Sequence, residues 1–179
     1  MPPPLLTERL LIRAFEPEDL DELHGVYGDP EVTRWIPPYP TLEHTRRALD
    51  LHVAAARSGR PAFWAVVERS SGDLMGDAGV APLDGGPDLE LGYTFGRRWW
   101  GRGYATEAAR ACVAEAFGPL GADRVVALIR PENTASIGVA EKLGLRQEGS
   151  RPAHGGLEHL IYAASASGSG FEGSSSGSR

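Results

Sequence analysis

Hydrophobic and polar positions along the chain switch between two spacings, and the switches divide it into elements. "RLLIRAF" (Arg9 to Phe15) alternates enough to read as a first strand. In "PEDLDELHGVYGDP" the period lengthens. Leu20, Leu23 and Tyr27 share one face, Pro17 suits a first helical position, and acids fill the first turn. "IPPYPT" (Ile36 to Thr41) is a rigid loop. Thr41 caps a second helix that runs to about Ser58, where Gly59 and Pro61 stop it.

"AFWAVVER" and "DLMGDAGVAPL" are two strands joined by the turn "SSGD", a hairpin. "PDLELGYTF" alternates cleanly, with Leu89, Leu91, Tyr93 and Phe95 on one face and Glu90, Gly92 and Thr94 on the other. A third helix starts near Gly103, its apolar residues from Ala105 to Phe117 falling at helical spacing. "RVVALI" is nearly continuous in apolar residues, as expected of a strand buried on both faces and lying parallel in its sheet. "NTASIGVAEKLG" is a helix with a glycine stop at Gly144, and "LEHLIYAA" supplies a last strand.

The order is strand, two helices, three strands, helix, strand, helix, then one or two strands. It predicts an α/β domain over residues 1–164. Antiparallel hairpins come first and a right-handed crossover follows, giving a mixed sheet with helices on both faces. Residues 165–179 are Ser/Gly low complexity and are expected to be a disordered tail.

Composition narrows the partners. The 179 residues are 41% hydrophobic and 23% charged, enough for one compact core. A net charge of -6 argues against a nucleic-acid binder that works by phosphate neutralisation and is compatible with a cationic substrate. Cys112 is the single cysteine, which rules out an internal disulfide and a cysteine-based zinc site. His154 and His159, five apart, suggest no metal pair, and no metal is expected. No apolar stretch reaches the ~20 residues of a membrane span, and the N-terminus lacks a secretory pattern, so residence in the cytoplasm is the expectation.

"RRWWGRGYATEAARACV" (Arg97 to Val113) holds most of the candidate chemistry. A helix N-terminus leaves about four backbone N–H groups unpaired and carries roughly half a positive charge. Gly101 and Gly103 lie where bare backbone would let a phosphate approach those groups, and Arg98 and Arg102 can add charge. The same glycines also suit a tight turn, and spacing leaves both readings open. A dinucleotide fingerprint fits badly, since Thr106 stands where its third glycine would be. A lone lysine, Lys142, leaves no lysine for a nucleotide-triphosphate loop.

Arg98-x-x-Gly101-x-Gly103 followed by "YATEA" resembles the acyl-CoA pyrophosphate loop of the GNAT acetyltransferase superfamily. "TERLLIR", "DPEVTRWIP", "LELGYTF" and "NTASIGVAEKLGL" are similar, in order, to segments of its ribosomal-protein-alanine N-acetyltransferase type, over roughly residues 5–163. The resemblance implies a mostly antiparallel mixed sheet whose central parallel strands splay apart around acetyl-CoA. The pantetheine would pair near Tyr93, Thr94 and Phe95. The pyrophosphate would sit on Gly101, Arg102, Gly103, Tyr104, Ala105 and Thr106, with Arg98 alongside, and Asn133 would bind the pantetheine arm.

The resemblance also implies transfer of an acetyl group to a primary amine. Its first-choice acceptor is a protein N-terminal α-amine, a small-molecule amine such as an antibiotic or polyamine comes second, and a non-catalytic acyl-CoA-binding module is the other alternative. Glu90 is the candidate base, acting through water, and Ser136 is the candidate partner of the departing sulfur. Ala140 occupies the position where many relatives carry a tyrosine acid. Asp77, Trp35 and Trp64 are possible acceptor-side residues as well as structural ones. Monomer and homodimer both remain open.

Overall fold

The computed structural model describes residues 4–167. They form one eight-stranded sheet in the order β1-β2-β3-β4-β5-β6-β8-β7. The strands are β1 (Leu5–Leu6), β2 (Leu10–Arg13), β3 (Phe63–Glu68), β4 (Leu74–Pro82), β5 (Leu89–Phe95), β6 (Arg124–Ile129), β7 (Arg146–Ala153) and β8 (Leu157–Ser165). The helices are α1 (Leu20–Tyr27), α2 (Leu42–Arg57), α3 (Tyr104–Phe117) and α4 (Thr134–Lys142). None of them is long and apolar enough to cross a membrane. Every described strand pair is antiparallel except β5–β6.

Alternation along β3 sends its side chains to two cores. Trp64 and Val66 join the cluster beneath α3 and α4, while Ala65 and Val67 join the one beneath α1 and α2. The first strand is shorter than its hydrophobic pattern. β2 ends at Arg13, and Phe15 leaves the sheet to pack in the α1–α2 core. Arg13 turns its guanidinium onto Asp19 at 2.7 Å, and that carboxylate also accepts the Glu16 N–H. This fixes a short 3-10 turn at Pro17–Asp19 ahead of α1. Thr41 caps α2 as expected, accepting the His44 N–H.

β4 and β5 stay in register from Gly76↔Phe95 to Pro82↔Leu89. Glycine is needed at Gly76: φ is +145°, and a Cβ would lie 1.9 Å from the Thr94 carbonyl oxygen. β7, an exposed edge strand with no apolar alternation, completes the sheet outside β8. Ser165, the first residue of the expected tail, closes β8 opposite Arg124, and the Ala166 N–H donates to the Asp123 carbonyl. The rest of that expectation, from residue 168 onward, lies outside the described residues.

Candidate functional site at the splayed strands

β5 and β6 pair only at Leu89↔Val125 and Glu90↔Val126. Beyond Glu90 the strands part, and two cavities of about 390 and 360 Å³ open, meeting at Tyr93, Thr94, Asn133 and Ser136. The pair is joined by a crossover through α3 rather than by a hairpin turn, and its ladder stops after two residue pairs.

The first cavity is bounded by the chain leaving β5. A 3-10 turn at Arg97–Trp99 and a hydrogen bond from the Trp100 indole N–H to the Phe95 carbonyl, 2.7 Å, fold that chain back on itself. Gly101 and Gly103 take φ of +72° and +82°, and Gly103 is the N-cap of α3. Both left-handed positions favour glycine. Among the described residues nothing accepts a hydrogen bond from the N–H groups of Gly101 through Thr106; the first helical bond runs from Glu107 to Gly103. The result is a row of donors at the positive end of a helix, a fit for a pyrophosphate.

The cradle is braced from the segment just before β2. Arg9 makes a 2.6 Å ion pair with Glu107, donates to the Arg102 carbonyl at 3.0 Å, and lies 4.1 Å over the Tyr104 ring. Glu107 also accepts from Thr7 Oγ1 and from the Arg9 N–H. Burial pushes its carboxyl up, but these donors outweigh burial and hold it below the usual carboxylate value.

Of the residues marked by the sequence, Tyr93, Thr94, Phe95, Gly101, Gly103, Tyr104, Ala105, Thr106, Asn133 and Ser136 line this first cavity. Arg98 and Arg102 do not. Arg98 pairs with Asp73 at 3.1 Å and lies over Trp99, and the exposed Arg102 flanks the same ring. Asn133 caps α4 by accepting the Ser136 N–H at 3.2 Å. The Tyr93 hydroxyl donates to the Ser136 carbonyl, and burial pushes its phenol up to about 12, so it stays neutral. Cys112 and Tyr162 are buried in the core, as is Trp64, which lines neither cavity; Trp35 lines both.

The second cavity lies on the α1–α2 face of the sheet. Tyr27, Tyr39, His52 and Phe63 wall it, and Asp77, Glu90, His154 and Arg130 give it polarity. Glu90 lies 2.6 Å from the imidazole Nε2 of His154, brought in from the β7–β8 turn. Burial pushes His52 down to about 4, which leaves it a neutral ring between Phe15 and Phe63. Sequence reasoning missed Tyr27, Tyr39 and His52 as pocket residues and set His154 aside. Only the fold brings them to Glu90.

Asp77 is fully buried, opposite Thr94 in the ladder. Burial pushes its carboxyl up to about 7, against hydrogen bonds from the Tyr27 and Thr94 hydroxyls. A carboxyl whose folded value exceeds its unfolded one stabilises the fold most below pH ~4. That stability is lost as pH rises through about 7. The loss is on the order of 4 kcal/mol. Asp77→Asn is expected to flatten the fall in melting temperature between about pH 4 and 7, read by thermal denaturation. A fall as steep as in the native protein would show that Asp77 does not carry it.

A sheet opened at its parallel pair, with unpartnered helix-start amides on one side of the gap and a polar pocket on the other, is an arrangement suited to acyl-group transfer. The chain matches the acetyltransferase (GNAT) domain family over residues 9–146 and belongs to it. It is 34% identical over 144 residues to the uncharacterized protein YkkB of Bacillus subtilis strain 168, covering 79% of this chain and 84% of that one. It is 32% identical over 148 residues to the uncharacterized N-acetyltransferase p20 of Bacillus licheniformis, covering 81% and 83%. A GNAT-family acetyltransferase from Bacillus anthracis superposes with a TM-score of 0.82 at 30% identity, over 92% of this chain and 99% of that one. The protein is therefore an acyltransferase of GNAT type.

Proposed function

We propose that the protein moves an acetyl group from acetyl-CoA to a primary amine. The observation that carries this reading is the row of unpartnered N–H groups from Gly101 to Thr106 at the mouth of the β5–β6 gap. In this reading those amides hold the pyrophosphate, with Arg102 at the rim and Arg98 bracing the loop through Asp73. Tyr93, Thr94 and Phe95 line the pantetheine path, and Asn133 holds the arm where the two cavities meet. Acetyl-CoA, when bound, supplies an activated thioester.

The second cavity then receives the acceptor, and Ser136, which lines both cavities, is the partner of the departing sulfur in this reading. Glu90 is the carboxylate that draws the proton from the amine, acting through an intervening group. An α-amine, with an ordinary pKa of about 7.7–8.0, needs little help to lose its proton; a lysine amine near 10.4 needs more. A protein N-terminus, of the ribosomal-protein type that the sequence resembles, is the preferred acceptor. The aromatic wall of Tyr27, Tyr39 and Phe63 favours a small-molecule amine as a second reading.

Free-thiol release from acetyl-CoA across a panel of peptide N-termini, polyamines and aminoglycosides tests this. Amine-dependent release is expected, strongest with α-amines of peptides. Tight acetyl-CoA binding without turnover on any amine would instead make the protein a non-catalytic acyl-CoA binder.

A further inference from the structure

The tip of the β7–β8 hairpin holds a strained residue. His154 has φ of +41°, followed by Gly155 and Gly156 at +88° and +80°. A left-handed backbone costs a residue with a β-carbon on the order of 1–2 kcal/mol, and strain of this kind gathers at functional positions. Here it delivers the imidazole across 64 positions of sequence to Glu90, with Nε2 2.6 Å from Oε1. His159 of β8 packs edge-on against the His154 ring, centroids 5.3 Å apart, and is itself held by the Leu157 carbonyl at 2.7 Å.

These contacts set proton positions. A carboxylate only accepts, so neutral His154 gives its Nε2–H to Glu90 and keeps a lone pair on Nδ1. That Nδ1 has no hydrogen-bond partner among the described residues. Glu90, His154 and His159 all line the acceptor cavity. We propose that His154 receives the acceptor's proton, with Glu90 as the positioning carboxylate that fixes its tautomer and faces the imidazolium once formed.

This rests on the acetyltransferase reading and names its intervening group. The acceptor ammonium gives one proton to Nδ1, and its N–H electron pair stays on nitrogen and forms the new N–C bond as the thioester C–S bond breaks. The nitrogen's second proton goes to the departing thiolate, and the imidazolium returns its own proton to solvent before the next turnover. The other groups around this cavity are Asp77 of β4, His52 of α2, Tyr27 of α1, Tyr39 of the following loop and Arg130 after β6.

The test compares thiol release by the native protein, His154→Ala, His154→Asn and Glu90→Gln over roughly pH 5 to 9. Asparagine tolerates the left-handed backbone and so guards against loss by misfolding. Both His154 variants are expected to lose about 10²–10⁴-fold in kcat. They should also lose the acid limb of kcat/KM while binding acetyl-CoA like the native protein. Added imidazole should restore part of the rate of His154→Ala, and Glu90→Gln should keep the limb at a reduced rate. A His154→Ala protein with the native rate and acid limb overturns the assignment, as does a lost rate that imidazole does not restore while the limb persists. Either result leaves the acetyltransferase reading standing in an active native protein, whereas a native protein that releases no thiol with any amine overturns both.

Discussion

Gly103→Glu is expected to weaken acetyl-CoA binding severely while leaving the protein folded. Gly103 caps α3 at φ +82°, and an added Cβ would meet only the far end of Arg9 at 3.6 Å. The backbone cost is therefore confined to the left-handed conformation, on the order of 1–2 kcal/mol. Part of that is offset, because a carboxylate at a helix N-terminus is favoured by about 0.3–1 kcal/mol. The same attraction is what removes function. The new carboxylate competes within the chain for the amides from Gly101 to Thr106, and it repels an incoming pyrophosphate. Calorimetric titration should show acetyl-CoA affinity falling by more than about 100-fold, a difference of roughly 2.7 kcal/mol. Native affinity in this variant would place the pyrophosphate elsewhere.

Gly76→Ala acts on the fold that positions the site. Its Cβ would lie 1.9 Å from the Thr94 oxygen and 3.1 Å from the Phe95 Cα, both backbone, so no side chain can swing away. The β4–β5 ladder must shift, and that ladder sets Asp77 opposite Thr94 at the junction of the cavities. Destabilisation of about 3 kcal/mol or more is expected. For a domain of this size that lowers the melting temperature by roughly 6–12 °C. Gly85→Ala is the matched control. It shares a positive φ, +71°, but a Cβ there meets nothing within 4 Å, so its cost should stay near 1 kcal/mol. Equal melting temperatures for the two variants would show that close approach to β5 is not what Gly76 provides.

The parts of the structure legible in the sequence are those set by neighbours along the chain. Thr41 shows as a cap because a cap and its amide are three residues apart. "RVVALI" shows as the parallel strand because burial on both faces leaves no polar alternation. The glycine cradle shows for the same reason, since loop, helix start and donors all fall between Gly101 and Thr106. β7 carries no such signal. "RQEGSRPA" is an exposed edge strand whose residues answer to solvent on both sides.

The acceptor side was equally hard to read, because its parts are brought together by long-range pairing. Glu90 and His154 meet only after β8 has crossed beside β6 and β7 has folded back outside it. Asp77 becomes a pocket residue through its register with Thr94 and the arrival of Tyr27 from α1. The arginines mark the opposite case. Their charge next to the cradle pointed to phosphate, yet Arg98 is engaged by Asp73, and Arg9, far away in sequence, braces the loop. Charge near a site in sequence does not decide where a long side chain ends.

Transfer itself is tested most directly by incubating the protein with acetyl-CoA carrying an isotopically labelled acetyl group and a primary amine, then weighing the acceptor by mass spectrometry. The proposed function predicts labelled acetyl on the amine nitrogen in one-to-one proportion with free thiol, absent when Gly103→Glu replaces the native protein. Saturating acetyl-CoA binding with no label on any amine would contradict it.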